Sequence, residues 1–364
     1  MEEFRRCFEG VPDPRTGNAR RHELIEVLMI SLCATLCGAE SCVDMAQFGV
    51  AKEGTLRRFL RLEHGVPSHD TFSRLFRLLD PQAFHAAFQG FMEAFASARG
   101  EVIAIDGKSL RRSFESAASR SPLHLISAWA NEEGLVLGQI KVDAGSNEID
   151  AVPALLDLLC LEGRLVTLDA MHCQRETARR IVDAGADYLI TVKTNQPRLH
   201  HDIKLWFDDP QAPVDDSATT VDGDHGRIET RTAEVLHDVE WLQQDHSWPG
   251  IRCVGRVVGE REVDGTASRS TRYYIASRSL SAPELNALAR GHWGIENSLH
   301  WVLDVVMNED QNRSRMDNAP ENLALLRRLA LSIIKKDKSK GSNRIKFKRA
   351  GWDDNFLINL IAQN

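Results

Sequence analysis

The stretch VIAIDGKSLRRSF, residues 102–114, decides how the chain is interpreted. It begins with a short apolar run, Val102 to Ile105, which is long enough for one buried strand. That run delivers Asp106 at its end, followed by Gly107 and by three bases: Lys108, Arg111 and Arg112. A carboxylate held at the end of a rigid strand is a good ligand for Mg²⁺, which completes its shell with water and phosphate oxygens. We therefore expect an acidic metal ligand beside bases that bind phosphate.

Two further acids can complete such a site. Asp169 ends a second apolar run in RLVTLDAMHCQ, residues 164–174, and Glu296 lies in the helical pattern of RGHWGIENSLHWVLDV, residues 290–305. Taken singly, each aspartate is explained equally well by a turn or a helix cap, and the glutamate by a solvated helix position. Together, two strand-end aspartates and one helix glutamate fit a two-metal phosphoryl-transfer site.

Composition restricts the class of protein. The chain has 364 residues, is 43% apolar and contains seven cysteines, which predicts a globular protein with a real core. An odd number of cysteines without framework spacing predicts a reducing, cytoplasmic location. The densest apolar stretch, Leu24 to Ala39, is too short to span a bilayer, so no membrane association is expected. A zinc site at Cys33, Cys37 and Cys42 lacks a fourth ligand, so these residues are interpreted as core.

The net charge of −7 is unusual for a protein that binds nucleic acid. The distribution of charge is more favourable, because KKDKSKGSNRIKFKR, residues 335–349, carries eight Lys or Arg against one Asp. Metal ligands contribute to the acidic excess elsewhere, and they repel DNA until cations bind. We expect the basic segment to be a tail that contacts DNA.

Several blocks of the sequence agree with one known family. AIDGKSLRRSF, TLDAMHCQ, YLITVKTNQP and HWGIENSLHWVLDVVMNED resemble the signature blocks of DDE transposases of bacterial insertion sequences, most nearly the group of H-repeat-associated proteins. VPDPR, LCATLCGAES and GVPSHDTFSRLFRLLDP follow the same family in the same order, so the resemblance covers roughly residues 4–330.

The resemblance implies a site and a reaction. Asp106, Asp169 and Glu296 would hold two Mg²⁺ ions, with Mn²⁺ as a substitute, and catalyse cleavage at element ends and strand transfer to target DNA. The partners would be double-stranded DNA and a second copy of the chain, forming a homodimer on paired ends. Eight residues near the acids would contact the DNA: Lys108, Arg111, Arg112, His172, Lys193, Asn195, Gln196 and His292. For those that lie in loops, ordinary solvation is the alternative.

The third acid departs from a pattern found in many hairpin-forming relatives. Those place Tyr, Arg, Glu and Lys around it, whereas this chain has Ala289, His292, Glu296 and Leu303. A hairpin step is therefore left open. Trp293 and Trp301 either stack on a flipped base or belong to the core.

The spacing of His292, Glu296 and His300 also allows a zinc site on one helix, which we consider weaker than the carboxylate triad because the usual adjacent histidine and glutamate are missing.

The predicted fold class is α/β. Three meandering strands followed by alternating helices and strands match a ribonuclease-H-like mixed sheet with flanking helices. An all-helical N-terminal domain precedes it, whose segment from His69 to Leu79 is either a DNA recognition helix or an ordinary amphipathic helix. The expected boundaries are 1–98 for the helical domain, 99–200 for the first part of the catalytic core, 201–280 for a β-rich insertion, 281–334 for the helices with the third acid, and 335–364 for the basic tail.

Two other functions fit the same residues. A metal-dependent nuclease would use the same triad to hydrolyse DNA without joining it. An inactive transposase remnant would bind DNA without cutting it.

Overall fold

The computed structural model describes residues 1–93, 102–113, 122–143, 146–224, 227–263 and 266–362. Within these ranges the chain is a mixed α/β protein. Its strands are β1 Val102–Leu110, β2 Leu123–Ala130, β3 Leu135–Lys141, β4 Leu165–Leu168, β5 Asp187–Val192, β6 Asp216–Asp224, β7 Arg227–Leu236, β8 Cys253–Val263 and β9 Thr266–Ala276.

Helices precede, interrupt and follow these strands. The first six are α1 Glu2–Phe8, α2 Leu24–Leu36, α3 Cys42–Ala51, α4 Glu53–Leu56, α5 His69–Leu78 and α6 Pro81–Glu93. Those between strands are α7 Glu148–Asp157, α8 Arg175–Asp183, α9 Pro197–Asp208 and α10 Glu240–His246. After β9 come α11 Ala282–His292, a π-helical turn Glu296–His300, α12 Trp301–Val305, α13 Ala319–Lys336, α14 Asn343–Trp352 and α15 Asp354–Ala362.

All described strands join one sheet in the order β3-β2-β1-β4-β5-β9-β8-β7-β6. The neighbours β1, β4 and β5 run parallel, and the other pairs are antiparallel. The parallel strands are buried on both faces, which explains their continuous apolar runs VIAI, LVTL and YLITV. The predicted three-strand meander followed by alternating helices and strands is confirmed.

The predicted β-rich segment between the second aspartate and the glutamate is present, but it does not form a separate sheet. β9 pairs with β5 from Leu189 opposite Ala276 to Val192 opposite Tyr273. The remaining three strands extend the sheet beyond β9, and α11 packs on them. The segment therefore enlarges the central sheet and adds to the surroundings of β5.

The N-terminal helices do not form a core of their own. Phe76 and Phe88 share one apolar cluster with Leu326 of α13 and Leu357 of α15. The N-terminal helices therefore share their packing with the C-terminal helices, while the expected domain boundary at residue 98 stays a prediction. The helices of both ends form one layer, which contacts the sheet through β3.

The expected basic tail is also corrected. Residues 335–362 form the end of α13 and the helices α14 and α15, and Lys346 is buried with its ammonium 3.1 Å from Asp337 Oδ2. The physical reason is the apolar spacing of Phe347, Leu357 and Leu360, which the high charge of the segment obscures.

Some helix boundaries differ from expectation. The pattern of residues 55–62 predicts a helix, but α4 ends at Leu56, and residues 94–98 of the helix expected over 82–98 lie outside the described residues. The apolar face of α5 is confirmed, because Phe72, Leu75 and Phe76 are buried, while its role in DNA recognition stays a prediction. Among helices of the described ranges, none has the length and apolar character needed to cross a bilayer.

Candidate active site

Asp106 and Asp169 follow matched positions on two parallel strands. Ile105 of β1 lies opposite Leu168 of β4, so the next residue on each strand is an aspartate. A ribonuclease-H-like layout predicts that these two acids lie on neighbouring strands, and the pairing of β1 with β4 confirms it. Asp169 directly follows β4 as expected, but Asp106 lies inside β1, which continues to Leu110 while paired with β2. Asp106 is therefore placed where β4 leaves β1, rather than at a strand end.

The turn after β4 fixes Asp169. Its Oδ1 accepts a hydrogen bond from the Met171 backbone N–H at 3.0 Å and caps a short 3₁₀ turn, so the helix-cap explanation also holds. Asn195 Nδ2 donates to the Ala170 carbonyl at 2.5 Å, and Gln196 Nε2 donates to the Cys173 carbonyl at 2.8 Å. These two amides were expected at DNA, but here they hold the backbone that carries Asp169.

Glu296 starts the π-helical turn, not the single helix that the pattern predicts over 295–306. Gly291 and Gly294 predict a bend or a division of the helical pattern in this region. The division is confirmed, because α11 ends at His292. His300 Nδ1 lies 3.1 Å from Glu296 Oε2 and 3.6 Å from Asp106 Oδ2. One ligand atom from each of these three residues lies within 4.8 Å of the other two. Short π turns often occur at functional sites.

The three predicted acids line one cleft of about 240 Å³. Asp106 and Asp169 approach it from the sheet, and Glu296 approaches it from the helical side. The rest of the wall comes from β4, β5, β9 and α11 and includes Thr167, Thr191, Lys193, Arg272, Tyr274, His292 and Trp293. Residues far apart in the sequence therefore converge at one place.

The carboxylates of this cleft influence one another. Burial raises the pKa of Asp106; His300 opposes that rise, and the charges of Asp169 and Glu296 add to it. The hydrogen bond from His300 lowers the pKa of Glu296 against the effect of burial. Like charges gathered in a partly buried site repel, and a divalent cation relieves that repulsion.

Two histidines expected at DNA have little exposed surface, since His172 is buried and His292 is half-buried. Burial lowers the pKa of His292 to about 4, so its ring is neutral at pH 7, and its Nδ1 lies 3.0 Å from Thr167 Oγ1. His172 is 1% exposed, with Nε2 at 3.5 Å from Glu148 Oε2 and 3.9 Å from Asp169 Oδ1. Neither ring is placed as a cation for phosphate. His292 also lies outside the group of Glu296 and His300, which removes the basis for the zinc alternative.

The predicted bases separate into two kinds. Lys108 is buried, and its ammonium lies 2.6 Å from Asp304 Oδ1 and 3.5 Å from Asp310 Oδ1, so it links β1 to the helical side instead of facing DNA. Lys193 is exposed and lines the cleft. The exposed bases that remain candidates for DNA contact are Arg111, Arg112 and Lys193.

Sequence reasoning missed Glu148, the first residue of α7. One of its oxygens contacts His124 Nε2, and the other faces His172. A Cβ atom at Gly107 would clash with Glu148 and lie 2.7 Å from His124 Nε2, so the glycine leaves room for this cluster beside Asp106. Burial would raise the pKa of Glu148, but hydrogen bonds with the two histidines outweigh it and lower the pKa to about 2. A glycine inside a strand was the available signal.

Arg272 of β9 was also missed. Its guanidinium carbon lies 5.0 Å from the centre of the Trp293 ring, and both residues line the cleft. Trp293 and Trp301 are 48% and 53% exposed, so neither is a core residue. No local signal marks Arg272, because its position depends on the pairing of β9 with β5.

Comparisons with known proteins identify the family of the chain. Residues 97–333 match the family described as "Transposase DDE domain", and residues 5–92 match "DDE_Tnp_1-associated". "Putative transposase YncI" of Escherichia coli O157:H7 is 38% identical over 97% of this chain and 92% of its own length. "H repeat-associated putative transposase YhhI" of Escherichia coli (strain K12) is 37% identical over 97% of this chain and 96% of its own length.

A piggyBac transposase synaptic complex with hairpin DNA gives a TM-score of 0.48 at 12% identity, covering 99% of this chain and 77% of that chain. A score at that level does not establish a shared fold. The family match spans most of the chain, and the two relatives match nearly all of it. The protein therefore belongs to the DDE transposase family.

Proposed function

We propose that this protein is a DNA transposase that cleaves DNA at the ends of an insertion sequence and joins the freed ends to target DNA. The observation that carries the proposal is the convergence of Asp106, Asp169 and Glu296 on one cleft. The strand order β3-β2-β1-β4-β5, with α7 between β3 and β4, supports a ribonuclease-H-like catalytic core.

The donor set suits a hard divalent cation. Asp106 and Glu296 place carboxylate oxygens within 4.8 Å of each other, and Asp169 lies on the same cleft. Oxygen ligands of this kind suit Mg²⁺ or Mn²⁺. Two such ions, when bound by the three acids, stabilise charge on the phosphate and favour deprotonation of the attacking hydroxyl.

The chain itself positions the reactants. The strand register and the capped turn fix Asp106 and Asp169, whereas the Glu296 side chain is 55% exposed and can adjust. Lys193 and Arg272 line the cleft, where their charge would bind DNA phosphate. Attack by water breaks the bond between phosphorus and a leaving 3′ oxygen, which takes up a proton to become a 3′-hydroxyl. That hydroxyl then loses its proton and attacks a target phosphodiester, forming a new P–O bond while the target's own 3′ oxygen leaves and is protonated. No nucleophile from the protein is required.

The test uses the purified full chain and a plasmid in which a marker lies between the DNA segments that flank the gene. We expect nicks at the ends and joined products in Mg²⁺ or Mn²⁺. Asp106→Asn should retain binding in a gel shift and lose both products. Hydrolysis without joining would indicate a nuclease, and binding without cleavage in either metal would indicate an inactive remnant; either result overturns the proposal.

Joining requires two ends in one complex, so we also propose a homodimer on paired ends. When end DNA is added, light scattering should give the mass of two chains plus that of the bound DNA. A complex that contains one copy and still joins ends would contradict this assignment.

The seven cysteines are all free, which supports a reducing, cytoplasmic location.

A further inference from the structure

We propose that His300 is a third protein ligand of the cation held by Asp106 and Glu296, so that two carboxylates and one imidazole bind this ion. The inference rests on the proposed function, because it concerns the metal site of the same cleft. It adds a nitrogen ligand to a site otherwise made of oxygen.

The distances suit one small cation. His300 Nδ1 lies 3.1 Å from Glu296 Oε2 and 3.6 Å from Asp106 Oδ2. Adjacent ligands of an octahedral ion with bonds of about 2.1 Å are separated by about 3.0 Å. The observed separations are therefore close to those of ligands that share an ion. Small side-chain adjustments would suffice to close the remaining gap.

The backbone explains why both residues face Asp106. The N–H of Trp301 donates to the carbonyl of Glu296, which is the five-residue spacing of a π turn. The wider turn keeps Glu296 and His300 on the same side, with their polar atoms directed to β1. A histidine at this position is therefore presented together with the acid.

The His300 ring has few other polar contacts. It is 4% exposed, and its Nε2 is buried without a hydrogen-bond partner among the described residues. Its neighbours Leu299 and Leu303 belong to the apolar core. Among the described residues, the polar contacts of the ring therefore lie on its Nδ1 side, where the two carboxylates are.

A nitrogen ligand has a measurable consequence. Imidazole binds Mn²⁺ and later first-row metals better than it binds Mg²⁺, whereas carboxylates accommodate both. We expect replacement of His300 to weaken Mn²⁺ binding by at least about tenfold and Mg²⁺ binding by less. If His300 instead only orients Glu296 by hydrogen bonding, the ion would have oxygen ligands alone.

Pulsed electron paramagnetic resonance of the Mn²⁺-loaded full chain separates these cases without DNA. We expect ¹⁴N modulation from a bound imidazole in the wild type, replaced by the ¹⁵N pattern when histidine is labelled. His300→Asn keeps a hydrogen-bond donor near the Nδ1 position and should lose the modulation. His292→Asn, which removes another histidine of the cleft, should retain it.

Absence of nitrogen modulation in the Mn²⁺-loaded wild type would overturn the inference, and so would its persistence in a folded His300→Asn protein. The labelled wild type provides the decisive spectrum if that variant does not fold. Cleavage and joining without nitrogen modulation would refute the His300 ligand and leave the proposed function intact. Nitrogen modulation in a protein that does not cleave would refute the function and leave the ligand intact.

Discussion

The ammonium of Lys108 lies 2.6 Å from Asp304 Oδ1, and this ion pair links the strand of Asp106 to the helix that follows Glu296. Lys108 is buried, while Asp304 is about one third exposed. The positive charge of Lys108 also helps to lower the pKa of Glu296. The pair therefore connects the two sides of the active-site cleft.

Lys108→Met should destabilise the protein by about 2 kcal/mol, because it leaves Asp304 without its partner in a half-buried position. Cleavage should fall at least about tenfold, since small displacements of a catalytic group are costly. Urea unfolding and the plasmid assay measure these effects. A phosphate-binding lysine would behave differently. Its loss would leave the stability unchanged and reduce the slope of log K against log salt for DNA binding by about one.

Lys193→Met is the matched control, because Lys193 is exposed in the same cleft. This variant should reduce the salt dependence of DNA binding, and its free energy of unfolding should stay within about 0.5 kcal/mol of wild type. If Lys108→Met and Lys193→Met behaved alike, the structural role given to Lys108 would be wrong.

Glu148 should make stability depend on acid pH. Its folded pKa of about 2 lies below the ordinary value of 4.5, so its contribution is present above about pH 4.5 and is lost as pH falls toward about 2. We expect Glu148→Gln to be less stable than wild type by about 1 to 3 kcal/mol at pH 7, as for a hydrogen bond to a charged group. Urea unfolding at pH 7, 5 and 3 should show this difference shrinking. A difference that stays constant with pH would show that the charge of Glu148 is irrelevant.

Elements that depend on local pattern were predictable. An apolar helical run predicts a helix from Leu24 to Leu36, and a short apolar run predicts a strand from Leu165 to Leu168; α2 and β4 have these bounds. Two apolar runs that end in an acid predicted the strands of Asp106 and Asp169, the ribonuclease-H-like layout predicted that they are neighbours, and the structure adds their matched register. Local periodicity and burial are sufficient for such features.

Contacts between distant segments were not predictable. In the sequence, Lys108 is one of several bases near Asp106, and only the ion pair between β1 and α12 reveals Asp304 as its partner. Arg272 reaches the cleft because β9 pairs with β5, which no spacing indicates. Such pairings depend on the packing of segments that are distant in the sequence, which local spacing does not encode.

Glu309 should be important for stability. It is fully buried, with Oε1 at 3.0 Å from Arg328 Nη1 and 3.7 Å from Arg327 Nη1. Glu309→Ala leaves buried Arg328 without its carboxylate partner and buried Arg327 with only the weaker attraction of Glu40, so we expect a loss of about 3 to 5 kcal/mol. Thermal unfolding gives the loss, and combining Glu309→Ala with Arg328→Met should recover part of it. Fully additive losses would show that the two side chains are not coupled.

The exposed bases of the C-terminal helices offer a test of DNA binding that truncation does not. Removal of residues 335–364 would take Phe347, Leu357 and Ile361 from the shared helical core, so we expect it to unfold the helical layer. Replacement of four exposed bases by Gln should leave the fold intact. The four are Lys338, Lys340, Arg344 and Lys348. If these side chains bind phosphate, the slope of log K against log salt should fall by up to about 0.9 for each one, measured by fluorescence anisotropy with duplex DNA. Because their aliphatic stems are exposed, thermal unfolding should change little, which separates loss of charge from loss of structure. An unchanged salt slope in a folded quadruple variant would remove this surface from the DNA interface.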